Sequence, residues 1–345
     1  MEMSERKMRI LKAIIDDYIA TGIPVGSRTL SRRSGFDFSP ATIRNEMADL
    51  EEMGYLEKIH ASAGRTPSDL AYRFYVDRLM QIDSITPSEV NAIREYFSTK
   101  VNALEQVIDM AAKVLSETTH HVSMVMRPQM DSIKLKRIQI IKITETKALV
   151  VLVTDSGIIK DTVISLNKTI DDRNLEMLSN MLTEKTRDLS LKEALVKMED
   201  IVKNLYENRE VADEVISVVS EQAAKKDLVL GGVGHVLDYP EYSESGKAKD
   251  FLKLLETKDK LYNMLSATTD MEFTIRIGSE NPYDEFKGMS IVTATYKVGG
   301  ENVGSYGVIG PTRMDYAKVL SVLQYVGRNM NNILSCMLDD EKKGK

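Results

Sequence analysis

Apolar residues recur at helical spacing near the start of the chain: Leu11, Ile14, Ile15, Tyr18 and Ile19 define one face of an amphipathic helix over 4–20. Ser4 is placed to cap it, and Gly22 and Pro24 stop it. Ser27 then caps a short second helix over 28–34, ended by Gly35. Ser39-Pro40 starts a third helix. The serine oxygen can accept a first-turn N–H, and the N–H that proline lacks has no helical partner at that position. This helix runs to about Met53, with Gly54 beyond it as a stop. Long helix, short helix, tight turn and capped helix make the order of a helix-turn-helix.

The third helix has two faces. Ile43, Met47, Leu50 and Met53 fall together on the core side. Ala41, Asn45, Ala48 and Glu52 lie opposite, flanked by Thr42, Arg44 and Asp49. Residues 55–60 then read as a short strand, and 61–67 as a small, turn-forming hairpin with Arg65 at its tip, the pattern of a wing. Ser68 caps a further helix with Leu70, Phe74, Val76 and Leu79 at its apolar positions.

Beyond Thr86-Pro87-Ser88 the spacing predicts one long helix over 88–118, with Leu104, Val107, Ile108, Ala111, Ala112 and Leu115 facing a core, and then a strand over 121–126. Three Ile- and Val-rich segments, 137–143, 148–154 and 157–166, read as an antiparallel meander, followed by about 60 residues of helical pattern to Lys225. The remainder predicts a helix over 248–264, strands at 272–277, 289–297 and 302–309, and a last helix over 314–338. Gly299-Gly300 joins two of these strands as a hairpin. The glycines of Leu230-Gly231-Gly232-Val233-Gly234 read as a tight turn rather than a phosphate loop, because no Gly-Lys-Ser/Thr or G-x-G-x-x-G follows and Tyr239-Pro240 breaks a helix. The simplest layout is one antiparallel sheet with helices, interrupted by a separate α+β module over 137–225.

Charge sharpens the reading of the N-terminal part. The net charge of −6 is unpromising for a nucleic-acid binder, but residues 1–80 are neutral, with 12 Lys+Arg and 12 Asp+Glu. Within 27–45, Arg28, Arg32, Arg33 and Arg44 stand against Asp37 alone, and Lys58 and Arg65 have no acid beside them over 58–66. The local field, not the total, decides DNA binding. Base contacts in such folds concentrate near the start of the recognition helix, where Ala41, Thr42, Arg44 and Asn45 lie. Asn can pair with an adenine edge and Arg with guanine, while alanines allow close approach. The candidate DNA-binding set is Ser27, Arg28, Arg32, Arg33, Ser39, Ala41, Thr42, Arg44, Asn45, Arg65 and Thr66.

Other chemistries find no support. Cys336 is the single cysteine, and His60, His120, His121 and His235 have no metal-ligand spacing. No catalytic constellation, cofactor motif, secretory signal or membrane-length apolar run is present, so a cytoplasmic, cofactor-free protein with no membrane partner is expected.

Several motifs resemble a known family. Thr21-Gly22-Ile23-Pro24-Val25-Gly26-Ser27, Ser39-Pro40-Ala41-Thr42-Ile43-Arg44-Asn45-Glu46-Met47, Gly54-Tyr55-Leu56 and Ala63-Gly64-Arg65-Thr66-Pro67-Ser68 with Tyr72-Arg73-Phe74-Tyr75-Val76-Asp77 resemble the N-terminal signature of the bacterial heat-inducible repressor HrcA family. Ile277-Gly278-Ser279-Glu280-Asn281 and Gly307-Val308-Ile309-Gly310-Pro311-Thr312-Arg313-Met314-Asp315-Tyr316 are similar to its C-terminal motifs. The likeness is weakest over 166–226, and Gly232-Val233-Gly234-His235 departs from the more usual Gly-Thr.

The resemblance implies a multidomain α+β protein. It has a winged helix-turn-helix over 1–82 and a GAF-like α+β domain in two parts, 83–134 and 226–345, with a dimerising domain over 135–225 inserted between them. It further implies a homodimer that binds double-stranded DNA at an inverted-repeat operator of chaperone operons and is kept active by a GroEL-type chaperonin. The alternatives are a winged-helix repressor whose GAF-like domain senses a small metabolite, an enzyme targeted by the winged helix, and a winged helix that binds RNA or protein.

Overall fold

The computed structural model describes residues 3–33, 36–58, 64–82, 85–98, 104–127, 134–155, 159–167, 170–203, 205, 208–224, 227–242, 245–266, 273–298 and 301–343. Among the described residues no helix is long and apolar enough to cross a membrane.

The chain begins with α1 (Glu5–Thr21), α2 (Ser27–Ser31) and α3 (Pro40–Glu52). Ser4 Oγ accepts the Lys7 N–H, and Gly22 closes α1 in the left-handed conformation at φ 66°, which a side chain rarely adopts. Ile10, Leu11, Ile14 and Ile15 of α1 are fully buried with Leu30, Ile43 and Leu50. Ser27 does not cap α2 as the sequence suggested. It is the first helical residue, Gly26 holds the cap position without a side-chain bond, and the helix stops at Ser31. The strand expected over 55–60 shrinks to β1 (Leu56–Glu57), paired antiparallel with β2 (Thr66–Pro67); the tip of the expected hairpin lies outside the described residues.

Ser68 caps α4 (Asp69–Phe74), which runs into a π-helical turn, Tyr75–Leu79. Its buried side chains are Ala71, Tyr72 and Tyr75, whereas Leu70 is 49% exposed. Of the expected apolar positions, Phe74, Val76 and Leu79 pack against the core and Leu70 does not; the Tyr72 and Tyr75 rings, with more surface to bury, fill the helix's buried side beside them.

The long helix expected over 88–118 is two helices, α5 (Pro87–Ser98) and α6 (Leu104–Thr119). Residues 99–103, between the two, lie outside the described residues. Next is β3 (Val122–Met126), buried at every position. The meander is β4 (Leu135–Thr144), β5 (Lys147–Thr154) and β6 (Ile159–Ser165), antiparallel in the order β4-β5-β6. Helices α7 (Asp172–Thr186), α8 (Leu191–Lys203) and α9 (Arg209–Ala224) follow. Their Leu178, Leu182, Met198 and Val215 share one core with Ile138, Ile140, Val150 and Leu152.

The chain returns in β7 (Leu228–Gly231), two short 3₁₀ turns within 233–242, and α10 (Ser245–Glu256) and α11 (Lys258–Ser266). A single helix was expected over 248–264; Thr257 divides it, its hydroxyl bonding back to the Leu254 carbonyl at 2.6 Å. Strands β8 (Phe273–Ile277), β9 (Met289–Val298) and β10 (Glu301–Pro311) precede α12 (Tyr316–Lys343). The second sheet has the order β7-β3-β10-β9-β8 with every pair antiparallel. Strands β3 and β7 are neighbours, so everything between them leaves and rejoins this sheet at one place. Gly231 allows close packing on α6, since a Cβ there would lie 2.5 Å from the Ala112 carbonyl oxygen.

One face of the five-stranded sheet shares a core with α6, α12 and the N-terminal helices; the other is filled by Phe251, Leu254, Leu255, Leu261 and Leu265 of α10 and α11.

Candidate nucleic-acid interface

The acids of α3 are neutralised from behind. Glu46, 4% exposed, accepts from Arg6 Nε at 2.6 Å and Lys7 Nζ at 2.9 Å, and the same ammonium reaches Asp49 at 2.9 Å. These two carboxylates, Asp49 first, hold Lys7 above its ordinary pKa. Glu51 takes Arg65 through Nε and Nη2, both at 2.7 Å. Three of the four acids on a helix that would face DNA are thereby countered from α1 and from Arg65 just before β2, while Glu52 at the C-terminal end of the helix is exposed.

That outward face is Ala41, Arg44, Asn45 and Ala48, all exposed. Arg28 and Arg32, on and just after the adjoining α2, are exposed as well, and among the described residues no partner is shown for the side chains of Arg28, Arg32, Arg44 and Asn45. Ser39 Oγ accepts the Thr42 N–H at 3.1 Å and meets Thr42 Oγ1 at 2.9 Å, which fixes the first turn of α3. Ala41, Thr42, Arg44 and Asn45 therefore come together on one rigid turn, as the helical spacing implied.

Three other candidates sit differently. Arg33 turns back, donating to the Ala13 carbonyl at 3.1 Å and meeting Asp17 at 3.1 Å, so it ties α2 to α1. Arg65 is at the foot of the hairpin rather than its tip: its backbone exchanges two 2.9 Å bonds with Val25, and its side chain is occupied by Glu51. Thr66 is 6% exposed, its side chain turned inward. Gly64 lets this strand approach, because a Cβ there would lie 2.6 Å from the Val25 carbonyl. Ser27 opens α2, half-buried.

With this surface described, its likeness to known proteins can be stated. The family model of the HrcA protein C-terminal domain matches residues 105–320. Proteins named heat-inducible transcription repressor HrcA from Thermoanaerobacter pseudethanolicus and Acetivibrio thermocellus are 40% and 39% identical to the chain, across 99% and 100% of it and 100% of each relative. The chain belongs to the HrcA family. HrcA proteins are heat-inducible transcription repressors, not enzymes. A crystal structure described as that of a hypothetical protein shares the HrcA chain's fold, with a TM-score of 0.69 at 21% identity over 97% of this chain and 100% of that one.

Periodicity did not single out Arg6, Lys7 or Glu46 in this HrcA sequence. The Arg6–Glu46 pair spans 40 residues, and no local pattern marks such a partner. Arg9 is another: its guanidinium lies 5.2 Å over the Phe38 ring, and Phe38 meets Phe36 edge-on at 5.6 Å, packing the turn that leads into α3. Among the described residues no group of three or more His, Cys, Asp or Glu is placed to hold a metal.

Proposed function

We propose that residues 1–82 are a winged helix-turn-helix whose α3 enters the DNA major groove, and that the protein represses chaperone operons as a homodimer on an inverted-repeat operator. The observation that carries this reading is the exposed Arg44–Asn45 turn of α3, with Arg28 and Arg32 exposed on and just after the adjoining α2, on a helix three of whose four acids, Glu46, Asp49 and Glu51, are countered by Arg6, Lys7 and Arg65. Arg44 and Asn45 read base edges; Arg28 and Arg32 meet phosphates; Ser39 and Thr42 hold the turn. Arg33, Arg65 and Thr66 act on the head's own packing.

The dimer surface is the outer face of β4-β5-β6, in the inserted module over 135–225. Ile141 pairs across to Leu149 and Leu149 to Val163, an apolar row with Ile141 43% and Val163 54% exposed. A two-fold axis through such a face matches the symmetry of an inverted repeat. The two parts 83–134 and 226–345 form one GAF-like domain. Its sheet face carries packed side chains from α10 and α11, which favours a protein partner over a small ligand as effector. That partner is the GroEL-type chaperonin implied by the family resemblance; a binder of one state shifts the equilibrium by its differential affinity.

The test is a gel-shift titration, with and without chaperonin, on an inverted-repeat duplex selected from a random pool and on its scrambled control. Selective binding strengthened by chaperonin is expected. Arg44→Ala is expected to weaken binding by about 1–3 kcal/mol and to relax preference at one base position. Uniform weakening across sequences would make Arg44 a phosphate contact. Absence of selectivity from folded dimer would sink the operator assignment.

A further inference from the structure

The N-terminal head is fastened to the five-stranded sheet domain by two polar clasps that use none of the proposed DNA contacts. In the first, Arg73 of α4 grips Glu280 with Nε at 2.7 Å and Nη2 at 2.5 Å, and Nη2 also reaches the Ile275 carbonyl at 2.7 Å. Burial raises the Glu280 pKa, but the bonds from Arg73 and from the Ile277 N–H outweigh it and hold the carboxyl below its ordinary value. One turn earlier, Asp69 accepts the Ser279 N–H at 2.8 Å. Gly278 between them has φ 49°, and a Cβ there would lie 2.1 Å from Asp69 Oδ2, so this approach admits only glycine.

The second clasp is Arg313, in the turn before α12. It donates to the Ile19 carbonyl in the last turn of α1 at 3.2 Å and is held by both oxygens of Glu241. The guanidinium lies against Gly22, where a Cβ would be 3.4 Å away. Between the clasps, the Tyr72 and Tyr316 rings meet at 6.0 Å inside one continuous core. Bidentate Arg–carboxylate pairs fix direction as well as distance.

We propose that Arg73 and Arg313 are positioning residues for operator binding: the clasps hold α3 at a fixed attitude on the sheet domain, so that both heads of a dimer meet two half-sites at one spacing. This rests on the dimeric DNA-binding reading above. The outward face of α3 is uncovered in this arrangement, so the clasps orient the head without blocking it. Two heads held in advance gain the second contact as an intramolecular step; two loose heads lose that gain.

Fluorescence anisotropy with the full-length protein tests this on three duplexes: the selected inverted repeat, the same repeat with two base pairs added between half-sites, and a single half-site. Arg73→Ala and Arg313→Ala are each expected to lose affinity for the full repeat on the order of tenfold, to penalise the altered spacing less than the parent does, and to bind the half-site unchanged. Exchanging the pair, Arg73→Glu with Glu280→Arg, is expected to restore affinity, and the milder Glu280→Gln to show an intermediate loss. Unchanged or increased affinity for the full repeat would overturn the proposal, as would an equal loss on the half-site. If the parent protein itself prefers neither the repeat nor its spacing, the repressor reading fails first.

Discussion

The five-stranded sheet β7-β3-β10-β9-β8 is covered on both faces, whereas the three-stranded sheet β4-β5-β6 is covered on one. In the first, β3 is buried at all of its positions, and Ile291, Val292, Val308 and Ile309 are fully buried on alternate faces. In the second, Ala148, Val150 and Leu152 of β5 face the helices, while β6 turns Ile159 and Val163 outward at 60% and 54% exposure. Both sheets are rich in β-branched residues, so composition does not separate them. What separates them is whether the second face has a partner within the chain. Apolar residues left open on a sheet face mark a surface for another molecule, and the three-stranded sheet presents such a row, Ile141, Leu149 and Val163, on its outer face.

The same substitution in both sheets breaks this comparison most sharply. Val292→Asp would bury a carboxylate between packed layers, at a cost of about 4 kcal/mol or more, and is expected to leave no folded protein. Leu149→Asp introduces the identical group on the outer face of β5, between Ile141 and Val163. It is expected to leave the monomer folded and to abolish the dimer, with loss of tight operator binding but not of weak half-site binding. Circular dichroism and sedimentation velocity read the two outcomes. A Leu149→Asp protein that remains dimeric would move the interface elsewhere.

A smaller effect distinguishes the sheets by pH. His121 at the head of β3 is 6% exposed, stacks on Tyr239, and approaches its hydroxyl through Nδ1. Burial, with His120, His235, Arg313 and Lys318 nearby, pushes its pKa down to about 3 from 6.5. The unfolded chain therefore takes up a proton below pH 6.5 that the folded chain refuses until about pH 3. Stability is full above that upper value and falls as pH drops through it, by about 2 kcal/mol at pH 5. The chain from 135 to 225, which holds the three-stranded sheet, has no histidine and contributes no such slope. Urea unfolding between pH 7 and 5 is expected to show the loss, and His121→Gln to flatten it. An unchanged slope in His121→Gln would assign the loss to other groups.

The sequence made the local structure legible and hid the tertiary pairing. Caps at Ser4, Ser39 and Ser68, the three-strand meander and the α3 faces follow from short-range rules and stand in the structure. The break between α5 and α6 was missed because both apolar faces keep helical spacing and no Gly or Pro lies between them. At the candidate site, exposed Arg44 and Asn45 were legible from periodicity. The occupation of Arg33 by Ala13 and Asp17, and of Arg65 by Glu51, was not, since both depend on which helix packs alongside. A local excess of arginine thus overstated the number of cations open to solvent.

The finest contrast is between the β4 edge of the three-stranded sheet and its central strand β5. The β4 edge is closed by side chains of α7 in place of a fourth strand. Ser179 Oγ accepts the Ile140 N–H at 2.9 Å and donates to the Leu175 carbonyl at 2.8 Å. Thr183 Oγ1 both accepts the Ile138 N–H at 3.0 Å and donates to its carbonyl at 2.9 Å. Unpaired strand edges recruit other strands, and covering them with a helix prevents this. Ser179→Ala removes the acceptor for a buried backbone N–H while changing little volume, so it is expected to cost about 1 kcal/mol. Hydrogen exchange at the Ile140 amide is expected to accelerate with it, while Ala148 and Val150 on the central strand, paired on both sides, keep their protection. Equal exchange at Ile140 in parent and variant would mean that α7 packs beside the edge without closing it.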